Sequence, residues 1–259
     1  MTENITLANE KGGVGKTPTA INLAYSLTRT GYRVKLVDLD PQASATKYFL
    51  DDDYKNLTLT MYHGLIKGTK VPGIQITDRL SLLPATNGQI PLTNAEVELP
   101  QKYRFDYQHR LKKLLQAYKE DDYIIIDTPG NVSIFTVLAL AAANQVIIPV
   151  KTEKSAEQAT EDIINVINQV KGTEEDPGLN PDLKIWGILP TLSEPRVLHH
   201  QQVIDILIYK YGSLVYPEPS KKSNEYNNAH ALKTDVSVRD PELGHYWDRI
   251  AASVVHGRP

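Results

Sequence analysis

The run Lys11-Gly12-Gly13-Val14-Gly15-Lys16-Thr17 lies between a short apolar stretch, Ile5-Thr6-Leu7-Ala8, and a helical pattern, Ala20-Ile21-Leu23-Ala24-Leu27. Strand, glycine-rich turn and helix, in that order, form the setting of a phosphate-binding loop. Glycines let backbone N–H groups converge on phosphate oxygens without Cβ clashes. The helix start adds unpaired N–H groups and the positive end of the helix dipole. In such a loop Lys16 reaches the β- and γ-phosphates, and the Thr17 hydroxyl holds Mg²⁺. The usual spacing G-x-x-x-x-G-K-[ST] is not met, because its first glycine falls on Glu10. A second lysine, Lys11, stands at the front of the loop instead.

Strand and helix patterns alternate through the rest of the chain. Arg33 to Asp38 reads as a strand after Gly31 closes the first helix, and Leu80 to Pro84 as a short buried one. Gln108 to Lys119 places Leu111, Leu114, Leu115 and Tyr118 at helical spacing, with Arg110, Lys112 and Lys113 on a solvated face. Tyr123 to Ile126 is a continuous apolar run ending at Asp127, as a central parallel strand should be. Gln145 to Val150 and Lys184 to Leu189 are further strands. Ser155 and Gln158 have capping-box spacing ahead of a helix through Val170. Helices near Val203 to Tyr211 and Pro241 to Val255 complete the pattern. Asp51 to Gly73 is mixed and polar, with Asp51-Asp52-Asp53 as an exposed turn. The expected fold is α/β, a doubly wound, mostly parallel sheet with helices on both faces. With no long linker, residues 1–259 are expected to form a single domain.

Such sheets bind ligands at the carboxyl ends of their strands. Three strands deliver suitable residues there: the Lys11 loop, Asp38-Leu39-Asp40-Pro41-Gln42, and Asp127-Thr128-Pro129-Gly130. Asp38 and Asp40, two apart on an extended segment, point to the same side. That reading places Asp40 near an attacking water and Asp38 near a metal shell. Asp127 stands where a Walker B carboxylate holds Mg²⁺. Asp-x-x-Gly is also a nucleotide-sensing pattern, in which the Gly130 N–H faces the γ-phosphate. The nucleotide-binding set is therefore Gly12, Gly13, Val14, Gly15, Lys16, Thr17, Pro18 and Gly130, with Thr17, Asp38 and Asp127 as metal-site candidates.

Composition narrows the chemistry further. The chain has 259 residues, 41% hydrophobic and 23% charged, with a net charge of −3. Any nucleic-acid site must then be a local basic patch rather than a global charge. There are no cysteines, which removes disulfides, thiolate catalysis and cysteine-ligated clusters. No secretory leader pattern and no membrane-length apolar run is present, so a soluble cytoplasmic protein is expected. Adjacent His199 and His200 point apart on a helix and lack an acidic partner at ligand spacing, so they are read as ordinary surface histidines. Tyr103, Tyr107 and Tyr118 are read as packing or surface residues.

The seven-residue run is the "deviant" Walker A of the ParA/MinD group of ATPases, and the chain resembles that group there. D-x-D-P-Q matches its first switch. Leu83-Pro84-Ala85, Ala95 to Leu99, Ile147 to Val150 and Gly187 to Thr191 resemble its later blocks in the right order. Beginning at the Walker strand, the chain is similar to the short, Soj-like ParA proteins that lack an N-terminal helix-turn-helix extension. The resemblance implies ATP and Mg²⁺ as cofactors and Lys11, Lys16 and Asp40 as catalytic residues. It further implies an ATP-sandwich homodimer in which Lys11 touches phosphates bound to the other subunit. Non-specific double-stranded DNA and a ParB-type or other small centromere-binding protein are the implied partners, with nucleoid association and no membrane. Glu194-Pro195-Arg196 resembles the family's D-x-R segment, and Lys221-Lys222 stands where an arginine of P-R-N-V-R is usual. Arg196, Lys221 and Lys222 are thus the DNA-binding candidates. Two features depart from the family: Pro18 replaces a second threonine and removes one backbone donor, and Gly130 replaces a second proline. Two alternatives stay open, a MinD-like membrane-cycling or protein-cargo positioning ATPase, and a P-loop ligase or kinase acting on a small molecule.

Overall fold

Ile124, Ile125 and Ile126 are fully buried or nearly so, and they form the middle of a seven-stranded sheet in the computed structural model, which describes residues 2–194 and 197–257. The strands are β1 (Glu3–Leu7), β2 (Val34–Asp38), β3 (Ile74–Gln75), β4 (Leu80–Leu83), β5 (Tyr123–Asp127), β6 (Gln145–Lys151) and β7 (Lys184–Thr191). Their order is β3-β4-β2-β5-β1-β6-β7, all parallel except the two-residue β3. The helices are α1 (Lys16–Arg29), α2 (Ser44–Leu50), α3 (Met61–Lys67), α4 (Asn94–Tyr103), α5 (Arg110–Leu115), α6 (Ile134–Ala142), α7 (Ala156–Lys171), α8 (Leu198–Tyr211), α9 (Glu225–Ala231), α10 (Val236–Arg239) and α11 (Pro241–His256). Alternation along the strands divides the core. Ile5, Leu7, Leu36 and Ile125 pack with α1, α2 and α9 to α11 on one face. Val37, Ile124 and Ile126 pack with α3 to α6 on the other, and Val146, Ile148 and Ile188 with α7 and α8. This is the doubly wound sheet expected from the sequence.

Local departures have identifiable causes. Gln108 to Lys119 is not one helix: α5 covers only Arg110–Leu115, flanked by 3-10 turns at Arg104–His109 and Gln116–Tyr118. Arg110 leaves the solvated face, donating to the Leu65 carbonyl at 3.2 Å and covering the Tyr103 ring at 4.0 Å. Tyr118 is buried, with its hydroxyl donating to the Val71 carbonyl at 2.8 Å. Ser155 does not cap α7. Its hydroxyl instead donates to Glu153 and accepts from Lys11. Helix α11 turns Leu243, Tyr246, Trp247, Ile250 and Val254 into the core. Its apolar stripe is therefore occupied, not offered to a lipid surface. Among the described residues no helix is long and apolar enough to cross a membrane.

Candidate active site

Register brings the three acidic and glycine-rich segments to one point. Leu7, the last residue of β1, pairs with Asp127 at the end of β5, and Asp127 pairs with Asp38 at the end of β2. From there the chain leaves β1 through Asn9, whose side chain ties the front of the loop to β6. Its amide donates to the Pro149 carbonyl at 2.8 Å, and its oxygen accepts the Lys11 N–H at 2.9 Å. Gly13 and Gly15 have φ of +73° and +89°, which only glycine adopts without strain. Gly15 caps α1, and Pro18 sits in the first helical turn without breaking it, where a missing N–H is tolerated. Thr19 is buried, and its N–H is taken by the Gly15 carbonyl at 2.9 Å, so it does not replace the lost donor.

The two lysines are held differently. Lys16 is buried and folds back over the loop, donating to the Asn9 and Lys11 carbonyls at 3.1 and 3.0 Å. Burial pushes its pKa down, while the Asp127 and Asp40 charges oppose that. Lys11 bonds to Glu153 and Ser155 of its own chain. That contact, with Lys151 beside it, lowers the Glu153 carboxyl to about 2.

The carboxylates divide by their partners. Asp38 is fully buried, and its Oδ2 accepts both the N–H and the hydroxyl of Thr46, each at 2.7 Å. Its Oδ1 accepts the Asp40 N–H at 3.2 Å. Asp38 thus ties α2 to the end of β2. Burial raises its pKa to about 6 against these hydrogen bonds. Asp127 is equally buried, yet neither of its oxygens has a hydrogen-bond partner. Burial, then the neighbouring Asp38 charge, raises its pKa well above the usual carboxylate range. The Thr17 hydroxyl and Lys16 pull the other way, the hydroxyl lying beside the carboxylate without completing a bond. A buried acceptor left unpaired is costly unless something binds it. Asp40 is half-buried, its Oδ1 accepting the Gln42 N–H at 2.8 Å in a turn that ends at Ala43 with φ +55°. Burial raises its pKa, while Lys16 and Lys47 lower it.

The segment after Asp127 is pinned against the loop. Thr128 donates its hydroxyl to the Leu7 carbonyl at 2.6 Å, and Ser133 caps α6. Between them Gly130 lies so close to the glycine-rich loop that a Cβ on it would stand 2.9 Å from Gly12 Cα. A cavity of about 720 Å³ opens above these groups. It runs from Gly12–Pro18 and Asp40 to a wall that the sequence did not signal: Tyr48 of α2 and Tyr226, Asn227 and His230 of α9. The Tyr48 and His230 rings stack at 4.6 Å, nearly parallel at 9°. Missed too were Asn9, Thr46, Glu153 and Thr191. Of these, only Asn9 stood close enough to the motif to be picked out by position.

Known proteins match this chain along most of its length. The AAA domain family model matches residues 2–185. Over 256 residues the chain is 37% identical to the chromosome-partitioning ATPase Soj of Thermus thermophilus, covering 97% of this chain and 94% of that protein. The chain belongs to the ParA/Soj family of partitioning ATPases. It is also 39% identical over 203 residues to the chromosome partitioning protein ParA of Myxococcus xanthus, covering 78% of this chain and 69% of that one. Among solved structures, cobyrinic acid a,c-diamide synthase from Mycobacterium smegmatis, with bound ATP analogue and magnesium, superposes with a TM-score of 0.82 at 28% identity. That match covers 98% of this chain and 94% of the synthase.

Family resemblance named Arg196, Lys221 and Lys222 as DNA contacts. Arg196 lies outside the described residues. Lys221 and Lys222 are exposed, and their backbone pairs with Ser193. That pairing brings them beside Glu194, which accepts from Lys222 Nζ at 3.0 Å. His200 is used locally, its Nδ1 accepting the Glu194 N–H at 2.9 Å. Among the described residues no group of three or more His, Asp or Glu side chains could hold a metal ion.

Proposed function

We infer that this chain is a Mg²⁺-dependent DNA-partitioning ATPase whose DNA affinity is switched by nucleotide. The nucleotide half rests on one observation above all, the buried Asp127 with two unpartnered oxygens beside Lys16 and Thr17. That donor set fits a divalent cation shared with phosphate oxygens, since Mg²⁺ takes few protein carboxylates and completes its shell from phosphates and water. Thr17 and Asp127 would hold the ion, with Asp38 beside Asp127 at the outer side of its shell. A cation so held supplies positive charge to the transferring phosphoryl group.

The chain's own groups then have definable work. Gly12 to Gly15 present backbone N–H groups to phosphate, and Lys16 turns from the Asn9 and Lys11 carbonyls towards the phosphates. Asp40, on the cavity side of the Asp38–Gln42 turn, orients water for attack. Gly130, packed on the loop, offers its N–H to the terminal phosphate. Lys11 leaves Glu153 and Ser155 to complete the site of a second copy, which makes the nucleotide part of the dimer interface. DNA binding then draws on Lys221, Lys222 and Arg196, doubled in the dimer, and release follows hydrolysis stimulated by a ParB-type or other small centromere-binding partner. The partitioning half is supported by kinship with proteins named for that role. The synthase likeness is lower in identity and supports the shared fold and nucleotide chemistry.

The test is binding to random-sequence duplex DNA with ATP and Mg²⁺, with ADP, or without nucleotide, at two salt concentrations. Binding with ATP alone that weakens steeply with salt is expected, because phosphate neutralisation releases counterions. No DNA binding by an ATP-dependent dimer would overturn the reading in favour of a membrane or protein-cargo role.

A further inference from the structure

The glycine-rich loop is tied at Val14 to the end of β7, and the residues just after that strand end pair with the basic segment. Thr191 closes β7 and is buried. Its hydroxyl donates to the Val14 carbonyl at 2.7 Å, inside the loop itself. Its side chain also lies 3.7 Å from where a Cβ on Gly15 would stand. Meanwhile the Thr191 carbonyl accepts the Thr152 N–H at 3.2 Å. That bond fixes the start of the segment whose Glu153 and Ser155 hold Lys11.

The next residue, Leu192, has φ +55°. A residue other than glycine stays in that left-handed region only when its surroundings impose it, and such strain gathers at switch segments. Here the surroundings act from both sides. Thr191 is fixed to the loop on one side. On the other, Ser193 donates its N–H to the Ser220 carbonyl at 2.9 Å and accepts the Lys222 N–H at 3.0 Å. The strained residue therefore sits between the nucleotide loop and the two lysines. In the present arrangement Lys222 is engaged by Glu194 at 3.0 Å, so it is not free for a nucleic-acid phosphate.

We propose that Thr191 is a positioning residue that relays occupancy of the glycine-rich loop through Leu192 to the Ser193–Lys222 pairing, and so decides whether Lys222 is held by Glu194 or presented with Lys221 to DNA. The relay rests on the DNA-binding reading above. Its physical basis is that a loop whose backbone is fixed by bound phosphates also fixes the Val14 carbonyl. The buried Thr191 hydroxyl, bonded to that carbonyl at 2.7 Å, follows it. Packed elements of this kind switch between arrangements rather than deform smoothly.

The experiment compares wild type, Thr191→Val and Thr191→Ser on random-sequence duplex DNA at two salt concentrations, with ATP and Mg²⁺ or with ADP and Mg²⁺. Nucleotide affinity is measured separately with a fluorescent ATP analogue. Couplings between sites commonly span about 5–150-fold in affinity. Thr191→Val is expected to lose roughly tenfold or more of the ATP-over-ADP preference for DNA, well beyond any loss in nucleotide affinity. Thr191→Ser, which keeps the hydroxyl, should restore the preference. An unchanged preference in Thr191→Val overturns the relay while leaving the DNA reading intact. A wild-type protein with no ATP-dependent DNA binding overturns both. Should the valine variant fail to fold, hydrogen exchange on the wild type decides: ATP must alter protection of the Ser193 and Lys222 amides, and identical exchange with and without ATP overturns the relay.

Discussion

One methyl group at Gly130 tests how the second switch segment and the nucleotide loop depend on each other. A Cβ there would stand 2.9 Å from Gly12 Cα and 3.3 Å from its nitrogen. Both neighbours are backbone atoms of a loop fixed by Asn9 and Thr191, so no flexible side chain can yield. The Gly130 backbone is not in the left-handed region, and alanine therefore brings no conformational penalty beyond the clash. Parting the two segments from 2.9 Å to the 3.4 Å at which ordinary contact begins requires a shift of half an ångström. Overpacking of this kind costs about 1–3 kcal/mol. If the loop yields, nucleotide affinity should fall roughly tenfold for each 1.4 kcal/mol absorbed there. If the Asp127–Asn131 segment yields, affinity holds and the Tm of the nucleotide-free protein falls by roughly 2–4 °C per kcal/mol. Differential scanning fluorimetry without nucleotide, together with titration of a fluorescent ATP analogue, separates the two. Gly12→Ala is the control, because a Cβ on Gly12 meets nothing within 4 Å, and its nucleotide-free Tm should match wild type. Gly130→Ala with both Tm and nucleotide affinity at wild-type values would refute the steric argument.

Lys16→Ala should abolish ATP-dependent dimerisation in size-exclusion chromatography with light scattering, and an ATP-dependent dimer surviving in that variant contradicts the assigned role. His63 supplies a pH test, since its Nδ1 accepts the Thr60 N–H at 3.2 Å in the capping box of α3. Burial, with Lys67 nearby, lowers its pKa. The native fold therefore favours neutral His63, and the cap contributes fully above about pH 6.5 and is lost as pH falls through the lowered native value. Losing an N-terminal cap costs about 1 kcal/mol. His63→Gln keeps the acceptor without titrating, so the Tm gap between wild type and His63→Gln should open as pH drops from 7.5 to 5 in buffered melts; parallel curves would count against it. Glu194→Gln releases Lys222 from its 3.0 Å ion pair. It should strengthen DNA binding with ADP, with a salt slope steeper by about one charge per subunit, and so narrow the ATP-over-ADP preference, whereas unchanged binding with ADP would remove Lys222 from the DNA surface.

Ile124 to Ile126 and Ile147 to Val150 were legible as strands because buried parallel strands need apolar residues on both faces. The glycine loop was legible because its chemistry is local, seven consecutive residues between a strand and a helix. Helices α3, α9 and α10 escaped notice for the opposite reason: at seven, seven and four residues they are too short to show a helical period. Ser155 illustrates how a tertiary partner overrides a local signal. Capping-box spacing is present, but Glu153 and Lys11 take the hydroxyl. The least legible parts of the site are those made by distant segments. Nothing in the sequence around Thr191 indicates that it bonds to Val14, 177 positions earlier. Nor do Tyr48 and His230 announce that they stack across the cavity mouth.

The flanks of the sheet have a consequence for how copies of this chain can meet. On one side the last strand, β3, is two residues long and runs against its neighbour. On the other, β7 is accompanied by the segment from Val215 to Lys222, which takes up its outward carbonyls: Tyr216 N–H bonds to Ile188, and Ser220 N–H to Pro190. Neither flank offers the long row of open backbone groups that lets sheets zip together side by side. Assembly is thereby steered away from continuous ribbons, a route that needs no nucleotide and has no natural end point. In the proposed nucleotide-bridged dimer, copies would instead meet at the rim of loops where the strands finish, and a contact made there can be dissolved by chemistry done there.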